Sequence, residues 1–449
     1  MIPCSCGRSF KSDAALAQHQ TDRNRAHNGR ASCRSLSSAI SSLSITQTAR
    51  PATRAGQTNE HPRPLAKGPR QAWLWKQVRR PGEPVGAIAQ SSIVPSTAAV
   101  SSEAGYQLVC SYNWQKGTPL RIRVPGYAAI WQDVALPLIL PADQGTYFID
   151  QNAGMLPRHP FEPMFRAAAS MNRDASFDDI DIVTNRNSLR KLFDFCDGRS
   201  RESFRLNLHL VRNALIVERC EKHAREIIGG SRNSGWGRNF EKASAKFPPG
   251  LAESMSHHRT LRYSLGALSC AVQFEVDASY DPGSEQSASS DALAPLTEKL
   301  SIERAQPCET KGPPQGVQVE TVYAGARPMN QSTAAEIKSA TKDQAIGKRM
   351  PQLWFGRTPW LIVGLHTEGT FGGRKITDAA AKFADWEARH QATLRKLVTV
   401  LGELRTAVRG SGGRHSAAVF ERGSGVMGVF ELTSSKQAVP ADLRQKLWT

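Results

Sequence analysis

The chain has 449 residues, with 58 Lys+Arg against 40 Asp+Glu and a net charge of +18. Hydrophobic residues make up 40% and charged residues 22%, which excludes collagen-like, coiled-coil and wholly disordered chains. The most apolar run, Val134 to Ala142, is too short to span a membrane and carries Pro137 and Pro141. The opening MIPCSCGRSF holds no apolar stretch of a secretory signal, so an intracellular protein, nuclear or cytoplasmic, with reduced thiols is expected. Residues 1–105 hold 14 Lys+Arg and 5 Asp+Glu. That supplies half the positive excess and favours a polyanionic partner such as RNA, or else only solubility.

In chain order, the first unit is residues 1–27. Cys4 and Cys6, then Phe10, Leu16, His19 and His27, provide two thiolates, two imidazoles and a miniature core, as tetrahedral Zn²⁺ requires. The pattern resembles a ββα-type two-cysteine, two-histidine zinc finger, with a shortened cysteine spacing and a lengthened histidine spacing. A lone finger covers only about three base pairs, so it is expected to be an accessory that touches RNA or a protein partner. Residues 28–105 are rich in Ser, Thr, Ala, Pro and Arg, which predicts a disordered basic linker. The island Trp73-Leu74-Trp75 within it reads as a transient cluster, or as a docking or import signal.

A folded domain is predicted over 106–436. Leu120–Val124, Thr146–Ile149 and Asp181–Val183 read as strands, and Phe161–Met171 and Ser188–Phe195 as helices. Phe204–Val211 and Ala214–Arg219 alternate around Arg212-Asn213 as a hairpin. Ser264–Ala278 reads as one strand, and the Ser-, Pro- and Glu-rich 281–314 as an inserted loop. Leu361–Leu365 is a predicted strand. Asp378–Arg409 is a predicted helix with Thr377 as its N-cap and an apolar stripe of Leu394, Leu397, Leu401, Leu404 and Val408. Ala417–Glu421 and Val426–Leu432 close the domain as a hairpin, leaving 437–449 as a tail. The fold class is α/β (α+β): a mixed β-sheet core flanked by helices.

The chemistry is concentrated in acidic pairs. On a strand, residues i and i+2 share a face, so Glu275-x-Asp277 and Glu336-x-Lys338 each deliver two groups to one spot. Glu241, in Gly237-Arg-Asn-Phe-Glu241, adds a carboxylate on a short helix. Phosphodiester hydrolysis needs carboxylates for divalent cations and a positive group on the phosphate. Asp277 followed by Glu336-x-Lys338 resembles the core of restriction-endonuclease-like nucleases. Adding Asp181-Ile-Val-Thr-Asn-Arg186 and Gly237–Glu241, the order resembles the decapping exoribonuclease family, which removes aberrant 5′ caps and degrades RNA from the 5′ end.

The resemblance implies that Glu275, Asp277 and Glu336, with the Ile337 carbonyl, ligate Mg²⁺ or Mn²⁺. It further implies that Glu241 holds the water, Lys338 orients it and Arg186 grips a phosphate. Three positions depart from the family pattern: Asn185 and Asn187 flank Arg186, Arg238 stands where tyrosine is common, and Gly356 or Arg357 stands where a glutamine is expected. The alternative function is a catalytically weakened scaffold that binds nucleic acid or a protein partner. His257-His258 beside Arg259 reads as exposed, or as flanking a phosphate path, Trp354, Trp360 and Trp386 as core, and Cys33, Cys110, Cys196, Cys220, Cys270 and Cys308 as free thiols.

Overall fold

The computed structural model describes residues 2–3, 9–10, 71–283, 316–321 and 330–448. Contacts divide the chain into two units, 1–65 and 66–449. In the first unit, Ile2–Pro3 pairs antiparallel with Ser9–Phe10. Cys4, Cys6, His19 and His27, the expected zinc ligands, lie outside the described residues, as do Cys33, Cys308 and nearly all of the 281–314 insertion.

Among the described residues, the second unit holds two mixed sheets and a two-stranded antiparallel pair, Gln144–Phe148 with Arg225–Gly229. The larger has eleven strands, and at its centre Leu268–Glu275, Ile182–Asn185 and Ala214–Cys220 run side by side and parallel. The smaller has seven, with Ala334–Ala340 between Ala278–Ser279 and Trp360–Thr367. Among the described residues, seven α-helices flank them: α1 (Gln151–Met155), α2 (Glu162–Met171), α3 (Arg186–Cys196), α4 (Gly237–Ser244), α5 (Met350–Phe355), α6 (Phe383–Gly410) and α7 (Ala441–Leu447). The expected mixed α+β core is what the chain forms. Among the described residues, no helix is long and apolar enough to cross a membrane.

Amphipathic spacing explains how the helices attach. Leu189, Leu192, Phe193 and Cys196 of α3 are buried against the stripe of α6, where Leu394, Leu397, Leu401, Leu404 and Val408 are all buried as expected. Helix α6 starts later than its sequence predicts. Residues up to Asp378 continue the strand Thr370–Asp378, so Thr377 pairs with Leu361 and Lys382 takes the N-cap position.

Three further expectations are corrected. Residues 71–105 do not form a linker. Leu74 is fully buried against Ala417, Val419, Phe430 and Leu432, and Gly86–Ala89 adds an edge strand to the larger sheet. Ile88, Ile93 and Val100 join the main core. The segment 437–448, expected as a tail, packs on the core, because Leu443, Leu447 and Trp448 are buried beside Phe165 and Phe177. The single strand expected over 264–278 is a hairpin, Ser254–Leu265 with Leu268–Glu275, turned at Gly266 where φ is +57°.

Candidate active site

The strand Leu268–Glu275 belongs to the larger sheet, and three residues later Ala278–Ser279 pairs in the smaller one. Glu275-Val276-Asp277 is therefore the step between the two sheets, anchored by buried Val276. Ala278 pairs with Ala335, which brings Asp277 beside the start of Glu336-Ile337-Lys338. The backbone N–H of Ile337 donates to Asp277 Oδ2 at 2.8 Å. Pleating places Glu336 and Lys338 on one face of their strand, and the Lys338 ammonium donates to Glu336 Oε1 and stands 3.4 Å from Asp277 Oδ2.

Two helices supply the remaining groups. The N-terminus of α4 is capped by Asp143, whose carboxylate accepts from the N–H groups of Arg238 and Asn239 at 3.0 and 2.9 Å. Phe240 stacks on Phe371 with ring centroids 4.4 Å apart, and its ring lies over Gly364. Glu241 follows it and is held where the charges of Asp277, Glu275 and Glu336 act on it. Helix α3 begins at the end of strand Ile182–Asn185, with the Asn185 side chain accepting from Ser188 N–H at 2.9 Å. That start aims Arg186, whose Nη1 donates to Glu336 Oε2 at 3.2 Å.

All six residues expected at the catalytic site, Arg186, Glu241, Glu275, Asp277, Glu336 and Lys338, thus meet at the sheet junction. Burial and the Asp277 and Glu275 charges push the Glu241 carboxyl well above the usual carboxylate range. Glu275 is reachable by solvent yet crowded by protein, and that crowding, with Asp277 beside it, raises its carboxyl to about 7. Burial and Glu336 raise Asp277 as well. Burial would also raise Glu336, but Lys338 and Arg186 outweigh it and bring it down to about 2. Burial alone would lower Lys338; the Asp277 and Glu336 carboxylates reverse that and raise it.

Four carboxyl groups therefore share two protein cations. Hard carboxylate oxygens in excess of positive charge suit Mg²⁺, Mn²⁺ or Ca²⁺. Glu241 and Glu275 carry no hydrogen bond or ion pair among the described residues, so both are available as ligands. Among the described residues, no three His, Cys, Asp or Glu side chains are gathered as a ready metal cage. The ammonium of Lys338 lies between Asp277 and Glu336, and the Ile337 carbonyl, expected as a ligand, accepts from Lys338 Nζ at 2.8 Å.

Several site residues escape the sequence reading. Gln352, one turn before Gly356 on α5, reaches the site. Its amide donates to Glu336 Oε1, and its oxygen accepts from Arg190 Nη1 at 3.2 Å. A cleft of about 220 Å³ adjoins the carboxylates and is lined in part by Arg186, Arg190, Arg219, His258, Gln273 and Glu275. His257 and His258 are buried, contrary to expectation, because their strand is internal to the sheet. His257 Nδ1 bonds Asn113, and His258 stacks on Tyr112. Burial and then Arg186 lower His258 to about 3, so it is neutral.

The family profile described as Domain of unknown function (DUF8563) matches residues 84–448. The chain belongs to this family. The start of that match agrees with the structure, which already packs strand Gly86–Ala89 into the larger sheet. No curated protein matches the DUF8563 chain by sequence. Among solved structures, Scheffersomyces stipitis Rai1 in complex with (3′-NADP)⁺ and calcium ion is similar at 10% identity and a TM-score of 0.51, over 80% of this chain and 99% of that one. Candida albicans Rai1 in complex with pU5-Mn²⁺ has 10% identity and a TM-score of 0.48, over 80% and 98%. K. lactis Dxo1 in complex with manganese has 8% identity and a TM-score of 0.44, over 78% and 95%. The S. stipitis protein shares the fold.

Proposed function

We propose that this DUF8563 protein is a divalent-metal-dependent hydrolase of RNA 5′ ends, cutting a phosphodiester or pyrophosphate bond, in the nucleus or cytoplasm. The observation that carries the reading is the meeting of Arg186, Glu241, Glu275, Asp277, Glu336 and Lys338 at one junction between the sheets, from four separate stretches of sequence. The S. stipitis protein was crystallised with calcium ion and (3′-NADP)⁺, a divalent cation and a phosphorylated dinucleotide, which are ligands of the kinds this site would accept.

Glu275, Asp277 and Glu336 would hold the cation, which when bound neutralises charge at the scissile phosphate. Arg186 grips a non-bridging phosphate oxygen. Glu241 orients the attacking water and, in its carboxylate form, accepts its proton. Lys338 fixes the water opposite the leaving group. The water oxygen bonds to phosphorus as the bond to the leaving oxygen breaks.

The test is cleavage of RNA with capped, triphosphate or monophosphate 5′ ends in the presence of Mn²⁺. Wild type is expected to turn over, and Glu336→Gln, checked for folding by thermal denaturation, is expected to lose turnover. Equal cleavage by the two would overturn the assignment. RNA retention without any turnover by wild type would replace it with the scaffold reading.

A further inference from the structure

Glu241 rides on α4, and α4 is too short to hold itself in place. It has eight residues, Gly237–Ser244, and Trp236 at its N-cap position makes no side-chain cap. A helix of about two turns is marginal without outside contacts, and its first N–H groups need partners.

The partners come from Asp143, far earlier in the chain. Asp143 Oδ2 accepts from Arg238 N–H at 3.0 Å, and Oδ1 accepts from Asn239 N–H at 2.9 Å. Bonds also cross the other way. The Asn239 side-chain amide donates to the Pro141 and Ala142 carbonyls at 2.9 and 3.3 Å, while the Asp143 N–H donates to the Gly235 carbonyl at 2.8 Å. Asp143 is 4% exposed, and no cation stands within ion-pair range of it among the described residues. A buried carboxylate without a cation is costly unless its hydrogen bonds are made. Here the start of α4 makes them, and its dipole favours the charge.

The chain after Asp143 becomes the strand Gln144–Phe148, which meets α4 a second time. The Arg238 guanidinium lies over the Tyr147 ring at 4.1 Å and the Lys242 ammonium at 5.1 Å. These two residues share one helix face. Arg238, a departure from the family pattern, also bonds Glu226 on the paired strand at 2.7 Å. A cation over a ring tolerates sliding. Adjacent N–H groups bonded to the two oxygens of one carboxylate do not, so the Asp143 contact fixes both the height and the rotation of the helix.

We infer that Asp143 is the positioning residue for Glu241. It sets where α4 starts, and so holds the Glu241 carboxyl beside Glu275 and Asp277 without touching substrate or reacting atoms. No acidic pair contains it. The work that Glu241 does there rests on the hydrolase reading; its placement by Asp143 does not.

A double-mutant cycle on the full chain tests the placement without turnover. Glu241→Gln removes a charge crowded by Asp277 and Glu275, so it raises the urea midpoint of wild type. Asp143→Ala frees α4 to shift, and Glu241→Gln then yields roughly half of that gain or less, where unlinked residues would add. Turnover supplies the second readout, with Mn²⁺ and 5′-monophosphate RNA. Asp143→Ala lowers kcat about ten- to hundredfold and leaves KM within about twofold, because Arg186 and the cation-binding carboxylates stay in place. Asp143→Asn keeps one acceptor oxygen, falls between the two in both readouts, and stands in if Asp143→Ala does not fold. Additive midpoints, or wild-type kcat in folded Asp143→Ala, overturn the inference. A coupled cycle in a chain that cleaves no RNA upholds the role of Asp143 and removes the hydrolase reading alone.

Discussion

The placement of Glu241 depends on one missing side chain. Gly364, on the strand Trp360–Thr367, lies under the ring of Phe240, and an added Cβ would stand 2.6 Å from Phe240 Cε1 and 2.7 Å from Cε2. Relaxed carbon contacts need about 3.5 Å or more, so Gly364→Ala forces the ring to move by about 1 Å. The ring cannot retreat, since it is stacked on Phe371 at 4.4 Å and packed edge-on against Trp131 at 6.3 Å. The motion therefore passes to α4, which carries Glu241 as the next residue. Overpacking of this kind costs about 1–3 kcal/mol, read as a lower urea midpoint with unchanged slope. A displacement of about 1 Å in a positioning element lowers turnover by about a hundredfold. Phe240→Leu in the Gly364→Ala background makes room and recovers part of the loss, which a double-mutant cycle measures as coupling. A Gly364→Ala protein as stable and as active as wild type would refute the packing argument. A stable but inactive one would refute only the link from packing to stability.

Two further predictions test other parts of the fold. Leu74 is fully buried under the closing hairpin, so Leu74→Ala should cost about 2–5 kcal/mol in chemical denaturation; a loss below about 0.5 kcal/mol would mean that residues 71–105 add nothing to the domain. Burial would raise the Glu218 carboxyl, but His209 and Lys436 hold it at about 2. A depressed carboxylate stabilises the fold above its ordinary value and loses that contribution as pH falls through its native one, so Glu218→Gln should cost about 3 kcal/mol near neutral pH. The gap from wild type should close between about pH 4.5 and pH 2, and a gap constant over that range would contradict the ion-pair assignment.

What the sequence disclosed depends on how locally each feature is encoded. The hairpin Phe204–Val211 with Ala214–Cys220 is set by alternation and a turn, and its bounds agree with expectation to within a residue. Glu336 and Lys338 use the i and i+2 period of one strand, and Glu241 follows a glycine onto a short helix. Glu275 and Asp277 were paired by spacing alone, since the strand ends at Glu275, and Arg186 stood out only through the family resemblance. Residues 71–105 misled for the converse reason. Their apolar residues, Leu74, Ile88, Ile93 and Val100, are single insertions into cores built by distant segments, so no periodicity marks them. His257-His258-Arg259 looked like a solvated run because polarity suggests exposure. Yet Ser254–Leu265 lies between two other strands, and inside it Asn113 bonds His257, Ser256 bonds His258 and Gln331 accepts from Arg259 Nη1.

Gln352 and Arg190 show where motif reading stops at the site itself. Neither belongs to an acidic pair, and each acquires meaning only through a contact, Gln352 with Glu336 and Arg190 with Gln352. The motifs fix which groups carry negative charge. Helix α3 fixes which positive charges oppose them, because Arg186 and Arg190 lie one turn apart on the same helix face. Arg186 ion-pairs with Glu336, and Arg190, bonded to the Gln352 oxygen, adds its charge to the same carboxylate and to Asp194. That sharing is a property of tertiary packing, invisible to any spacing rule.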